Sequence, residues 1–309
     1  MRTVQALGLA LGLGLAVSGC GDDDTQTEPV AEQNPYEGDY FEDGGYIMPR
    51  SHVNVVRALG IAGELEPGVA EGFDLDERSS PPGEEDSCQH GDAVSPDGQE
   101  GIDNQFGRMW PAIEPLVGEA VEGLLQGAIN EGRILMMMEL ADLDDLQNDD
   151  NVTFNIYRGS LDPQIGTFGL IAPDQTFRID DSFPLTSVEG LKLENGELVA
   201  GPVPIQFPID ILDARFNMNI QDALVRVQIH DDGSFTGVIG GAFSVPDVIG
   251  ELLMTGAAAE TRLVAPAFEA NADMGRDEDG TCNLLSAAFV FEGTTAFVVR
   301  DAQDPTGAP

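Results

Sequence analysis

Basic side chains are scarce in this chain: 14 Lys and Arg stand against 55 Asp and Glu, for a net charge of -41. Lys192 is the sole lysine. Nucleic-acid binding depends on Lys and Arg neutralising phosphates, so this balance argues against that partner. It argues equally against electrostatic adhesion to anionic lipid. Aromatic residues make up 6% of the chain. They give no obvious sugar-stacking platform, although Trp110 and Tyr157 leave a protein or glycan ligand open. His52, His90 and His230 are scattered, and the chain has no HExxH, no GxSxG and no phosphate loop ending in Lys-Ser/Thr. The sequence signatures of zinc peptidases, nucleophile-elbow hydrolases and P-loop enzymes are therefore missing. Cysteine is nearly absent too, at three residues.

What is present begins with MRTVQALGLALGLGLAVSGC. Arg2 supplies a positive start, and Leu7 to Val17 is an apolar stretch shorter than the roughly 20 residues a spanning helix needs. Basic start, short apolar stretch and small-residue end are the marks of a signal peptide, residues 1–19. Val17-Ser18-Gly19-Cys20 closes it in the form of a lipobox, which marks Cys20 as the lipidated N-terminus of the mature chain. Residues 20–45 are polar, acidic and broken by Pro and Gly, the composition of a flexible tether that cannot bury enough apolar surface to order itself. Gly21 rather than Asp follows Cys20, which favours the outer membrane over the inner. Residues 46–300 are long enough for a substantial core at 42% hydrophobic content, and 301–309 form a polar tail.

With Cys20 assigned to lipid, Cys88 and Cys282 remain. An exported, oxidising location favours their pairing as a disulfide.

Periodicity points to a mainly β domain, an antiparallel sandwich or partly closed barrel with one covering amphipathic helix. Val152, Phe154 and Ile156 alternate with polar neighbours, as do Ala223, Val225, Val227 and Ile229. Asn195-Gly196 and Asp231-Asp232-Gly233 are hairpin turns. Pro202, Pro204 and Pro208 demote the stretch from Val203 to Ile211 to an edge strand. Ile134 to Leu140 reads as a strand covered on both faces. The spacing of Ile113, Leu116, Val117, Ala120, Val121, Leu124, Leu125 and Ala128 predicts one helix over 110–130, capped by Asn104 and ended by Gly132. Val248 to Ala258 is a second, short helical candidate. Residues 46–106 read as irregular, with an apolar patch at Val55, Val56, Leu59 and Ile61 and an edge strand at Phe73–Leu75. Ala288–Val290 and Thr295–Val299 read as two closing strands.

Two acidic segments flank the paired cysteines. Asp86, Asp92, Asp97, Asp103 and Asn104 lie around Cys88, and Asp273, Asp277 and Asp279 precede Cys282. A disulfide would bring both segments to one end of the fold. Their carboxylate and amide oxygens are the hard ligands that calcium takes at six to eight positions. Neither segment has EF-hand spacing, so solvated acidic loops are the competing reading. His90 beside Cys88 would suit zinc only if the cysteine were free, and two ligands are too few for a structural site.

The lipobox, the Asp-rich spacer, the Cys-containing segment ending in Gly101-Ile102-Asp103-Asn104-Gln105, the helix and the apolar strand before an acidic turn together resemble lipoproteins of myxobacteria that have no assigned activity. The resemblance implies an envelope location and carries over no active residue. The expected function is a lipid-anchored cell-envelope protein with a structural or ligand-binding role, calcium being the cofactor to test. The alternative is an envelope hydrolase that uses carboxylates in an acidic cleft.

Overall fold

The computed structural model describes residues 51–299 apart from 86–87, 118–119, 184, 212–213, 255 and 257. The expected signal peptide and tether, the expected lipidation site Cys20, Asp86 and the tail at 301–309 lie outside the described residues. Along the chain run β1 (His52–Ile61), β2 (Glu64–Glu66), β3 (Val69–Ala70), β4 (Ala93–Val94), β5 (Glu100–Ile102), α1 (Gln105–Val117) and α2 (Ala120–Asn130). Next come β6 (Met136–Ala141), β7 (Asn148–Ser160), β8 (Gln175–Ile179), β9 (Thr186–Glu194), β10 (Glu197–Ile211) and β11 (Ala214–Ile229). The chain continues with β12 (Phe235–Ser244), α3 (Val245–Met254), α4 (Ala258–Asn271), β13 (Met274–Arg276) and β14 (Cys282–Val299).

Eight strands close into an antiparallel barrel in the order β1-β6-β7-β9-β10-β11-β12-β14, with β14 returning to β1. The mainly β expectation holds, and the sheet is a fully closed barrel rather than a sandwich. Period-2 alternation decides which face is core. Val225 stands level with Ile239, and Ile239 with Phe289; all three are buried, with Phe235 and Phe291 beside them. Their neighbours Arg226, Thr236, Val290 and Glu292 lie on the other face, where Val290 is 38% exposed. The outward face thus mixes polar and charged side chains with apolar ones such as Val290. Among the described residues no helix is long and apolar enough to cross a membrane.

β8 pairs β14 in parallel and β7 antiparallel, so β1, β6, β7, β8 and β14 trace a second, smaller closed path. Both faces of β6 are therefore covered, and Met137 and Met138 are each 0% exposed. This agrees with the apolar run in the sequence. Glu139, on the same strand, is 1% exposed. It accepts hydrogen bonds from Asn155 Nδ2 at 3.0 Å and from the Tyr157 hydroxyl. Burial of a carboxylate is tolerable only with such partners.

The Asn195-Gly196 hairpin forms as its residue types require, with φ of 54° and 77° at the two positions. β10 is only partly an edge. It pairs with β11 along its length, while its register with β9 is limited to Glu197 and Glu194. Pro202 and Pro204 sit where the β11 register shifts, at Ala200/Val203 and Val203/Ile205, so their missing N–H groups fall in irregular ladder.

Four expectations are corrected. The apolar patch at 55–61 belongs to a ten-residue strand, β1, which pairs with both β6 and β14. The single helix over 110–130 is two helices, α1 starting earlier at Gln105 and α2 ending at Asn130. Phe106, Met109 and Ile113 from α1 and Leu125, Ala128 and Ile129 from α2 enter the main core. The two closing segments are one 18-residue strand, β14. Phe73–Leu75 is not a strand; Phe73 makes a single bridge to Asp103.

Strands β2 to β5 form a separate four-stranded sheet, order β2-β3-β4-β5. Phe73 follows β3 and packs on the outer barrel wall with Ala62, Val238 and Ala288. Gly240 on β12 makes room for it: a Cβ there would lie 2.6 Å from the Phe73 ring. Gly240→Ala is thus expected to push Phe73 off the wall and to cost about 1–3 kcal/mol, the usual range for overpacking. Urea denaturation of the variant measures this, and a midpoint equal to wild type would contradict the contact.

Candidate metal centre

Residues 73–76 read Phe-Asp-Leu-Asp. Phe73 and Leu75 pack into the satellite cluster on the barrel wall, and the alternation leaves Asp74 and Asp76 on the other side. Asp103 arrives from the end of β5. Its N–H donates to Phe73 O at 2.8 Å, and its Oδ2 accepts the Leu75 N–H at 2.7 Å. One carboxylate oxygen from each of Asp74, Asp76 and Asp103 lies within 4.8 Å of the others.

The loop is folded around these oxygens. The Arg78 N–H donates to Asp74 Oδ1 at 2.9 Å and Asp76 Oδ1 at 3.1 Å. Gly101 has φ of 84°, and a Cβ on it would stand 2.5 Å from the Arg78 carbonyl oxygen and 3.1 Å from Asp74 Oδ2. Only glycine lets both oxygens come this close.

Asp103 is 5% exposed. Burial pushes its carboxyl up to about 8, against the Leu75 hydrogen bond that lowers it. The charges acting on it raise it further, because they are the carboxylates of Asp76, Asp92 and Asp273. Asp76 is raised by burial and by Asp74, Asp92 by burial and by Asp76 and Asp74. Like charges gathered in a poorly solvated place either hold protons or attract a cation. Three carboxylates and a nearby carbonyl are oxygen donors of the hard type that calcium or magnesium takes.

The residues singled out by sequence fall into three groups. Asp103 is in the triad, and Asp92 and Asp273 act on it electrostatically. Asp92 Oδ2 accepts the Ser80 N–H at 2.5 Å. Asp273 accepts the N–H of Ser286 at 2.8 Å and its hydroxyl, while burial raises it to about 6. Asp97, Asp277 and Asp279 are in turns. Asp97 accepts the Ser95 hydroxyl, and Asp277 Oδ1 accepts the N–H groups of Asp279 and Thr281. Asn104 has a different task from the one expected. Its Oδ1 accepts Gly107 N–H at 3.0 Å and Ala288 N–H at 3.1 Å. Both lone pairs are used in capping α1 and tying it to β14, which leaves none for a metal.

Cys88 and Cys282 form a disulfide with Cα atoms 6.1 Å apart, so the zinc alternative through a free Cys88 falls away. The two cysteine-bearing loops do meet. Arg276 Nη1 donates to Glu85 O at 2.8 Å, and His90 Nε2 lies 3.2 Å from Ala270 O. Asp74 and Asp76 were missed by sequence reasoning, although the alternating Phe-Asp-Leu-Asp pattern was there to find them.

No protein-family model matches the chain, and neither the curated proteins nor the solved structures contain a significant match.

Proposed function

We propose that this chain is a lipid-anchored cell-envelope protein whose barrel has a structural or ligand-binding role and is stabilised by calcium at Asp74, Asp76 and Asp103. The lipid-anchored part rests on the lipobox ending at Cys20 and on the acidic tether after it. The barrel would then stand off the outer membrane as one unit, with α1 and α2 as its helical cover. One observation carries the calcium part: three carboxylate oxygens within 4.8 Å, one belonging to a buried side chain that neighbouring carboxylates destabilise further. A divalent cation would remove that repulsion and fix the loop against the barrel wall. Cys88 lies between Asp76 and Asp103 in the sequence, so cation and disulfide would constrain the same segment.

Calcium added to chelator-treated protein is expected to raise the thermal midpoint by several degrees. Binding to the native state stabilises by about 2.7 kcal/mol when the ligand is at 100 times its dissociation constant. Asp76→Asn should weaken the shift and Asp103→Asn should abolish it. An unchanged midpoint in millimolar calcium, with no heat of binding by calorimetry, would sink the reading.

A further inference from the structure

We infer that the barrel binds a small, neutral, mainly apolar molecule in a cavity bordered by β6, β7, β9 and β10. This goes beyond the calcium reading and does not depend on it. The cavity measures about 190 Å³. An apolar cavity of about 150 Å³ stays dry and takes up benzene, so this one has room for a slightly larger molecule. It continues the main core outward: Ile134, Met136, Ile156 and Ile205 all belong to that core and border the space. Ile156 stands level with Thr186 across the β7–β9 ladder, so the two side chains share a face, and both line the cavity.

The wall is left open at this place by the sequence of β10. β9 and β10 are in register only at Glu194 and Glu197, beside their hairpin. At the cavity they are linked by the Thr186 hydroxyl, which donates to Pro204 O at 3.3 Å. Pro204 therefore turns its backbone towards β9. Pro208, four residues on in the regular β10–β11 ladder, has the same orientation. Neither has an N–H to give, so a ladder to β9 cannot form along this stretch. The unladdered seam is the way in. Beside it Leu185 is 58% exposed, an apolar side chain held at the entrance.

Charge selects the ligand. None of the described residues lining the cavity is acidic, in a chain with 55 Asp and Glu. The one cation among them is Arg158, and its interactions are already taken up. Its guanidinium carbon lies 3.9 Å from the centre of the Phe183 ring, its Nη2 donates to Arg133 O at 3.1 Å, and Asp180 Oδ2 is 3.9 Å from its Nε. An anion would meet a neutralised arginine on a chain of net charge -41. A cation would meet that arginine and no carboxylate on the lining. Burial of hydrocarbon is the remaining source of affinity. Gln206 and Thr186 at the entrance suit a single polar end. Straight-chain alcohols have this chemistry.

The test is calorimetric titration of the full chain with the alcohols from butanol to decanol. One saturable site is expected, with affinity rising about fourfold for each added CH₂. The rise should stop near about eight carbons, where the chain outgrows a cavity only slightly larger than one that benzene fills. Adsorption on surface patches would continue to strengthen up to decanol. Leu185→Asp alters an exposed side chain, so the fold is kept, and it should weaken hexanol about tenfold by placing a charge at the entrance. Ile156→Phe should fill the cavity and abolish binding; if that variant does not fold, the chain-length limit and Leu185→Asp still decide. Asp103→Asn should bind hexanol like wild type, which separates this cavity from the carboxylate triad. No saturable heat with millimolar hexanol, an unbroken rise to decanol, or wild-type affinity in Leu185→Asp would overturn the inference.

Discussion

Loss of the Cys88–Cys282 bond, by reduction or by the paired change Cys88→Ser and Cys282→Ser, is expected to lower the unfolding free energy by about 2–5 kcal/mol. The bond joins residues 194 apart, and a loop of that length lies near the upper end of what chain-entropy arguments give. The closed segment contains α1, α2 and strands β6 to β12, nearly the whole barrel. Breaking it frees the unfolded chain while leaving the native ladders in place. Local links between the two loops remain, among them the hydrogen bond from Arg276 Nη1 to Glu85 O at 2.8 Å. The Arg276–Glu85 pair at 3.9 Å is largely exposed and is worth little. Guanidinium unfolding with and without reductant measures the effect. A shift below about 1 kcal/mol would mean that residual structure in the unfolded chain already holds these loops together.

The second large effect is a dependence on pH in metal-free protein. Burial raises the folded pKa of Asp103 to about 8 and that of Asp273 to about 6, against 3.8 for an ordinary aspartate. Between pH 4 and 8 the folded chain therefore keeps protons that the unfolded chain has released. Stability falls as pH rises through this window, because the unfolded state binds fewer protons. The cost is absent below the unfolded value and complete above the folded one. Each fully shifted group contributes at most about 1.4 kcal/mol per pH unit. Denaturation midpoints at pH 5, 7 and 9 in chelator should descend, and Asp103→Asn should flatten the descent. Saturating calcium should flatten it as well, since a bound cation favours the ionised carboxylate. A flat profile in chelator would contradict the burial of Asp103, and the difference between wild type and Asp103→Asn separates this group from the general acidity of the surface.

Local chemistry was easy to read in this chain. Asn195-Gly196 turns where it should, Gly132 ends α2 with φ of 72°, and Val225, Val227 and Ile229 alternate into the core. Barrel closure was not readable, because it depends on β1. Val53, Val55 and Val56 are all buried in β1, with Asn54 between them, so the strand shows no alternation. Its partners are β6 and β14, and the second of these is over 200 residues away. The candidate site was half legible. Asp103 and the meeting of the two cysteine loops followed from composition and redox environment. Asp74 and Asp76 left a signal in the alternating Phe-Asp-Leu-Asp pattern, but that pattern does not say that Phe73 and Leu75 pack on the barrel wall. The second role of Asn104 was also visible in advance as a helix cap, and the two uses of one amide oxygen exclude each other.

The pairing of β1 with β14 sets the order in which the molecule can assemble. Val53 meets Ala296 in antiparallel register, so the seam of the barrel lies between the first and last strands to be synthesised. The meander from β9 to β12 can zip up hairpin by hairpin on local contacts. The seam has to wait for the end of the chain. Until then β1 has only β6 as a neighbour and exposes an open edge with four consecutive buried-type positions, 53–56. High contact order of this kind slows folding and prolongs the time in which such an edge can pair wrongly. The same register places residues 52 and 297 side by side, so both ends of the described chain leave the barrel at one rim. Joining them would turn the longest-range contact in the fold into the shortest.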